Sequence, residues 1–99
     1  MRSLLVLAIS CAPALAGDLD GDALRRLVHQ DCGSCHGLTL KGGLGPGLTA
    51  DMLAHYDRDG LASVILQGVP GTPMPPWAPL MSDEEARWIA DYLLTGENE

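Results

Sequence analysis

The sequence predicts a small all-α domain whose short helices are joined by loops rich in glycine and proline. Apolar residues recur at helical spacing in several stretches, including residues 88–93 near the carboxyl end. No stretch alternates polar and apolar residues as a half-buried strand would, and no internal repeat is visible. A chain of 99 residues is long enough for one domain with a modest core.

The first sixteen residues are predicted to be a secretory signal peptide. Arg2 precedes an apolar run at residues 4–11, and residues 14–16 form a small-residue cleavage pattern. Because the run is far shorter than the roughly 20 residues that span a bilayer, we expect cleavage after Ala16, export and no stable membrane insertion. Lipid attachment at Cys11 is disfavoured, since it requires an even shorter apolar run. The domain then comprises residues 17–99.

One contiguous motif organises the rest of the chain, namely Cys32-Gly33-Ser34-Cys35-His36. Two cysteines three positions apart and followed by histidine form the attachment pattern of c-type haem. Each thiol can form a thioether with a haem vinyl group, which delivers His36 to one axial face of the iron. The motif therefore predicts one covalently bound haem c, attached at Cys32 and Cys35 and ligated by His36.

Other uses of the two cysteines explain the motif less well. A structural zinc site needs four ligands, and the remaining cysteine, Cys11, lies in the predicted signal peptide. A thioredoxin-type redox pair is expected beside a βαβ pattern, which this sequence lacks. A simple disulfide leaves the adjacent histidine unexplained.

The chain is strongly acidic. It has 13 Asp and Glu residues against 6 Lys and Arg, with a formal net charge of −7. Loss of Arg2 with the signal peptide makes the mature chain more negative still. This charge disfavours nucleic acid and anionic membranes as partners, and it favours a redox partner protein with a basic docking surface.

The first helix is predicted at residues 18–31, with Asp20 or Asp22 as its N-cap. Its apolar stripe is expected to end against the haem. His29 lies on this helix, where a ligand so close to the attachment turn would face the wrong way. We therefore expect His29 to be a surface residue.

The segment after the motif, residues 37–48, is predicted to be a loop in which glycines allow the backbone to approach a flat ligand. It lacks the preceding strand and the Lys-Ser/Thr ending of a phosphate-binding loop. Its leucines are expected to form an apolar wall beside the haem, and they are Leu38, Leu40, Leu44 and Leu48.

Two short helices are predicted next. The first covers residues 49–56 with Thr49 as N-cap, and the second covers residues 61–67 and ends at Gly68. Residues 57–60 are predicted to be a non-helical segment that separates the two helices. His55 is predicted to be a surface or packing residue.

The second axial ligand is predicted to be Met74. It lies within residues 70–79, which contain five of the seven prolines in the chain. Repeated prolines hold the backbone stiffly around the thioether. Met81 is the alternative, but it adjoins the last helix and is expected to belong to the core. Ser82 and Glu85 have the spacing of a capping box that begins this last helix, which is predicted to end at Gly96.

Together these features resemble the class I c-type cytochromes along the whole mature chain. In that family the first and last helices cross over one haem, and a backbone carbonyl accepts a hydrogen bond from the proximal histidine. The resemblance implies that the carbonyl of Pro46 orients His36, and that Met74 is the distal ligand. One feature departs from the family pattern: Leu27 stands five positions before the first cysteine, where many members have an aromatic residue. An aromatic side chain of the last helix is expected to fill that space.

Residues 35–46 and 71–77 resemble the small monohaem cytochrome found with the haem-cd nitrite reductase of denitrifying bacteria. This resemblance implies a periplasmic one-electron carrier that serves nitrite reductase, and we expect the carrier to be a monomer. The alternative is a part in maturing the reductase's non-covalent haem. With His36 and Met74 both bound, the iron has no open position, so no enzymatic activity is expected. Ligand binding or peroxidase-like chemistry would require Met74 to be absent or labile.

Overall fold

The computed structural model describes residues 19–99, and the predicted signal peptide at residues 1–16 lies outside the described residues. Residues 19–99 contain helices and turns but no strand, which confirms the all-α prediction. The elements are α1 (Gly21–Leu27), a π-helical turn (Val28–Cys32), α2 (Gly33–His36), α3 (Arg58–Gln67) and α4 (Asp83–Leu94). None of the helices in this part of the chain has the length and apolar character needed to cross a membrane.

The helix predicted at residues 18–31 is the continuous stretch formed by α1, the π-helical turn and α2. Asp20 is its N-cap, since the carboxylate accepts a hydrogen bond from the Ala23 N–H at 3.1 Å. In the π-helical turn the Gly33 N–H donates to the carbonyl of Val28, five residues earlier. This spacing is one residue wider than in an α-helix. The turn therefore rotates the attachment motif relative to α1.

The helix predicted at residues 49–56 is absent, and the prediction is wrong there. Residues 50–55 form turns instead. The Leu53 N–H donates to the carbonyl of Thr49 at 3.1 Å, but the next bonds, such as that from Tyr56 N–H to Leu53, span only three residues. A single helical turn fixes several dihedral angles for one hydrogen bond, so it does not propagate without further support.

Helix α3 begins at Arg58, earlier than the predicted start at residue 61. Asp57 is its N-cap, because the carboxylate accepts a hydrogen bond from the Gly60 N–H at 2.7 Å. The sequence predicts that residues 57–60 are non-helical, whereas they form the cap and the first turn of this helix. Gly68 ends α3 as predicted, with a φ of +69° that favours glycine.

Helix α4 begins with the predicted capping box. The Ser82 hydroxyl accepts from the Glu85 N–H at 3.0 Å, and the Glu85 carboxylate accepts from the Ser82 N–H at 2.8 Å. The helix packs against both α3 and α1. It contributes more residues than any other element to one apolar core, which consists of Leu24, Val28, Leu40, Leu48, Leu53, Leu61, Ala62, Ile65, Met81, Ala86, Ile89, Ala90, Tyr92 and Leu93.

Aromatic side chains of α4 form its contact with the first helical stretch. The rings of Trp88 and Tyr92 stack with their centroids 5.2 Å apart. A Cβ atom at Gly21 would lie 3.2 Å from the Trp88 ring, so the backbone approaches this ring closely. His29 Nε2 lies 2.8 Å from the Tyr92 hydroxyl oxygen. The expectation that His29 is a surface residue is therefore wrong, because its side chain is half-buried and contacts a buried tyrosine of another helix.

We expect Tyr92→Phe to lower the free energy of unfolding by about 1 kcal/mol, the net contribution of a typical hydrogen bond. The substitution removes the hydroxyl that contacts His29 but keeps the ring that stacks on Trp88. Denaturant unfolding followed by far-UV circular dichroism measures the change. A substitution on the exposed side of the same helix, Glu84→Gln, is the control. An unchanged stability in Tyr92→Phe would show that water replaces the hydroxyl at no cost.

Candidate haem-attachment site

The two predicted attachment cysteines and the predicted axial histidine lie on one helical turn. Cys32 ends the π-helical turn, and Cys35 and His36 lie in α2. Both thiols are free and half-buried. Ser34, between them, donates its hydroxyl hydrogen to the carbonyl of Asp31 at 2.8 Å, which stabilises the turn. The local helical conformation thus brings the three predicted site residues together.

The imidazole of His36 is held by the backbone of the following loop. Its Nδ1 atom lies 2.6 Å from the carbonyl oxygen of Pro46. A carbonyl only accepts hydrogen bonds, so Nδ1 must be the protonated nitrogen of this ring. In the neutral tautomer, Nε2 then keeps the lone pair that a metal requires.

Two further hydrogen bonds attach this loop to the same turn. The Gly42 N–H donates to the carbonyl of His36 at 2.9 Å, and the Gly45 N–H donates to the carbonyl of Cys35 at 2.7 Å. These bonds satisfy carbonyl groups at the end of α2 that lack partners within the helix. The loop therefore both ends the helix and holds the imidazole of His36 in place.

Glycine is required at two positions where the loop meets the turn. A Cβ atom at Gly45 would lie 2.9 Å from both Cε1 and Nδ1 of the His36 ring. Gly37 has a φ of +95°, and a Cβ atom there would collide with the carbonyl oxygen of Gly42. Sequence reasoning read the glycines only as a general loop signal, and did not single out either one.

The environment of Cys32 suits a neutral sulfur group. Burial, reinforced by the nearby Asp31 carboxylate, raises the pKa of the Cys32 thiol to about 11.

The leucines predicted to form the haem wall separate into two pairs. Leu40 and Leu48 are buried in the core, whereas Leu38 and Leu44 are 80% and 81% exposed. The carbonyl of Leu40 accepts a hydrogen bond from the Leu48 N–H at 2.7 Å, which closes the loop across its base. The structure therefore assigns the first pair to the protein core.

Met74 lies half-buried in the segment between α3 and α4. This segment is attached to the end of α3, because the N–H groups of Trp77 and Ala78 donate to carbonyls of α3 at 3.1 and 3.0 Å. Gly68 makes the close approach possible, since a Cβ atom there would lie 2.8 Å from the carbonyl oxygen of Met74. The loop that presents the thioether is thus fixed to the helical framework.

Two other residues weighed as ligands lie elsewhere. Met81 is only 8% exposed and belongs to the core cluster, in line with the expectation for this residue. His55 is exposed, and its ring lies against the Tyr56 ring with the centroids 4.2 Å apart. Within residues 19–99 no group of three or more His, Cys, Asp or Glu side chains could hold a metal ion.

These residues fit a covalently attached haem. Two thiols on one turn can each form a thioether, and the raised pKa of Cys32 shows that its surroundings favour an uncharged sulfur. The imidazole beside them is fixed through Nδ1, which leaves Nε2 for iron. Cys32, Cys35 and His36 would hold the group, and the Pro46 carbonyl would hold the histidine.

A protein-family model matches residues 19–93, which is nearly all of the described chain. Its description is cytochrome c oxidase, cbb3-type, subunit III. The match covers the attachment turn, the loop after it and all four helices. It is therefore a similarity of the whole domain and does not rest on the short motif alone.

Curated relatives and a solved structure show a narrower similarity. Cytochrome c55X of Paracoccus denitrificans is 54% identical over 99% of this chain and 98% of its own length. A solved structure of the c-type cytochrome NirC has a TM-score of 0.75 and 53% identity, covering 78% of this chain and 91% of that one. Dihydro-heme d1 dehydrogenase of Pseudomonas aeruginosa is 38% identical over 83% of this chain, but only 16% of that protein is covered.

Proposed function

The chain belongs to the c-type cytochrome family and carries covalently bound haem c, and we propose that it is a periplasmic one-electron carrier of the nitrite reductase system. The bond between His36 Nδ1 and the Pro46 carbonyl is the observation that carries this proposal. It fixes the ring of the motif's histidine through Nδ1, which supports a role for Nε2 as a metal ligand. The similarity to cytochrome c55X and NirC supports the link to nitrite reduction.

In this proposal each site residue has one role. Cys32 and Cys35 form the thioethers, His36 and Met74 ligate the iron, and the Pro46 carbonyl orients the imidazole. When bound, the haem supplies a one-electron couple between ferric and ferrous iron. Holding both axial ligands on anchored backbone keeps the geometry similar in the two oxidation states, and it leaves no open position for substrate.

Charge distribution supports a protein partner with a basic docking surface. Three helical arginines already lie near carboxylates: Arg25 is 2.7 Å from Asp22, Arg87 is 3.2 Å from Asp59, and Arg58 is 3.6 Å from Asp59. The acidic surplus is therefore what a partner encounters from a distance, and it can steer association.

Residues 37–48 and 68–82, which hold the two axial ligands in place, contain only one charged residue, Lys41. We propose that the acidic helices steer the partner and that these loops, which have almost no charge, make the close contact, with the carrier acting as a monomer.

Localisation follows the same proposal. Residues 1–16 would direct export and be removed after Ala16, and the mature domain would begin at residue 17. No lipid would be attached at Cys11. Optical spectroscopy and intact mass of the exported protein test attachment and cleavage together. A colourless product with unmodified cysteines would overturn the proposal.

A second function is favoured by a separate observation. A segment similar to this chain forms part of a dihydro-heme d1 dehydrogenase, a protein whose name describes dehydrogenation of dihydro-haem d1. A free copy of such a domain suits a role in maturing the reductase's non-covalent haem, where it would accept electrons or dock with assembly proteins. Both functions would use the same attachment site.

Deletion of the gene separates the two functions. If the chain is an electron donor, we expect nitrite reductase to be purified with its full haem complement but to be reduced slowly in the cell. If the chain acts in maturation, the reductase should lack its non-covalent haem and regain activity when that haem is added. Absorption spectra of the purified reductase measure the haem content directly. Complementation with a Cys32→Ala, Cys35→Ala gene tests whether the attached haem is required for either result.

A further inference from the structure

Leu40 combines two features that are seldom found together. Its φ is +60°, in the left-handed region that residues with a Cβ atom avoid. Its side chain is fully buried, with an exposed fraction of 0%. A residue stays in this disfavoured conformation only when its surroundings determine it. The surroundings of Leu40 include the haem-attachment turn.

The backbone of Leu40 closes the loop on both sides. Its N–H donates to the carbonyl of Gly37 at 2.8 Å, and its carbonyl accepts from the Leu48 N–H at 2.7 Å. Its side chain reaches toward the turn itself, because Cδ2 lies 3.9 Å from a Cβ position built at Gly33. Leu40 thus joins the base of the loop to the residue between Cys32 and Ser34.

The segment enclosed by these bonds contains every backbone contact to the His36 region described above. Gly42 and Gly45 donate to the carbonyls of His36 and Cys35, and the Pro46 carbonyl accepts from the imidazole. Each of these contacts depends on the path of the loop between residues 41 and 48. The loop begins directly after residue 40, so its path depends on the position and the backbone conformation of that residue.

We propose that Leu40 is a positioning residue for the axial histidine. Its buried side chain anchors the left-handed turn, and the turn directs the Pro46 carbonyl onto Nδ1 of His36. Loss of the anchor would let the loop move away from the ring, weakening the hydrogen bond that orients the ligand and makes it more electron-donating. The inference rests on the proposed function, in which His36 ligates the haem iron.

The test compares substitutions in the exported holoprotein. Leu40→Ala removes the anchor but keeps a Cβ atom in the left-handed region, whereas Leu40→Gly removes the anchor and the backbone strain together. Leu40→Met keeps the volume and the apolar character. Leu61→Ala is the matched control, since Leu61 is also a buried core leucine but lies in α3. Two quantities are measured, namely the exchange rate of the His36 Nδ1 proton by NMR in the ferrous state and the reduction potential.

We expect proton exchange at His36 to be at least tenfold faster in Leu40→Ala and Leu40→Gly than in Leu61→Ala. The reduction potential should rise in the same two variants, because a weaker hydrogen bond makes the imidazole a poorer donor to ferric iron. Leu40→Met should keep both the exchange rate and the reduction potential close to those of the wild-type protein. If Leu40→Ala gives no folded protein, the less strained Leu40→Gly decides the result.

The inference would be overturned if the His36 Nδ1 proton-exchange rate and the reduction potential of Leu40→Gly matched those of Leu61→Ala. Leu40 would then contribute only to stability. This outcome differs from failure of the proposed function. In that case the wild-type protein itself would lack covalent haem, and no iron-linked signal from His36 would be found in any variant.

Discussion

Met74→Ala is expected to leave the haem covalently attached while opening one axial position of the iron. The charge-transfer band of an iron–sulfur bond should disappear from the ferric spectrum, and carbon monoxide should bind rapidly to the ferrous protein. The reduction potential should fall by on the order of 0.1 V, within the roughly 0.8 V range that axial ligands control. A thioether favours ferrous iron, so its loss stabilises the ferric state. Wild-type protein should show no rapid spectral change with carbon monoxide at neutral pH.

The structure explains why this effect should be local. The Met74 loop is joined to α3 through Trp77 and Ala78, and the Met74 N–H donates to the Thr72 hydroxyl at 3.3 Å. Removal of the thioether leaves these backbone contacts in place. We therefore expect the variant to remain folded and to be purified with a full complement of haem.

Met81→Ala is the matched control for this experiment. Met81 is buried in the core, so its truncation should lower the free energy of unfolding by about 2–5 kcal/mol through lost packing and a residual cavity. The iron–sulfur band should be retained. The opposite pattern, with the band lost in Met81→Ala and kept in Met74→Ala, would show that the distal ligand has been assigned to the wrong methionine.

The combined substitution Cys32→Ala, Cys35→Ala is expected to abolish covalent haem attachment. The exported polypeptide should be colourless, and its mass should equal that of the chain alone. It should also lack stable helical structure, because a domain of this size buries a modest core without the attached porphyrin. Intact mass and far-UV circular dichroism measure the two effects. Each single substitution should leave one thioether and retain colour.

Ser34→Ala is the control for the cysteine variant. It keeps the spacing of the two thiols and removes the hydroxyl, which donates to the Asp31 carbonyl and makes a weaker contact with Cys35 Sγ at 3.9 Å. We expect full haem attachment and a small loss of stability. Loss of haem in Ser34→Ala would mean that attachment depends on the conformation of the turn as well as on the two sulfur atoms.

Several features of the chain could be predicted because their determinants are close together in sequence. The capping box of Ser82 and Glu85 acts across three residues, and the Asp20 cap does the same. The attachment motif is contiguous, so one helical turn is enough to bring its sulfur atoms and imidazole together. The cap formed by Asp57 was also local, but it was missed because an Asp-Arg-Asp-Gly run was read as a break.

Other features depended on contacts that no local pattern contains. The π-helical turn adds one residue to a helix of otherwise ordinary sequence, and the contact of His29 with Tyr92 joins residues 63 positions apart. The left-handed conformation of Leu40 contradicts the preference of leucine itself. Only packing against the rest of the domain can offset that preference.

By itself, the sequence determined the fold class, the attached cofactor and the capped starts of the first and last helices. These follow from short-range chemistry, in which each group finds its partner within a few residues. The tertiary structure alone decided which leucines enter the core and where the first helix meets the last, and it contains the contact between His36 and the Pro46 carbonyl that the family resemblance implied. Those outcomes depend on distant segments competing for the same buried space, and local propensity carries no information about that competition.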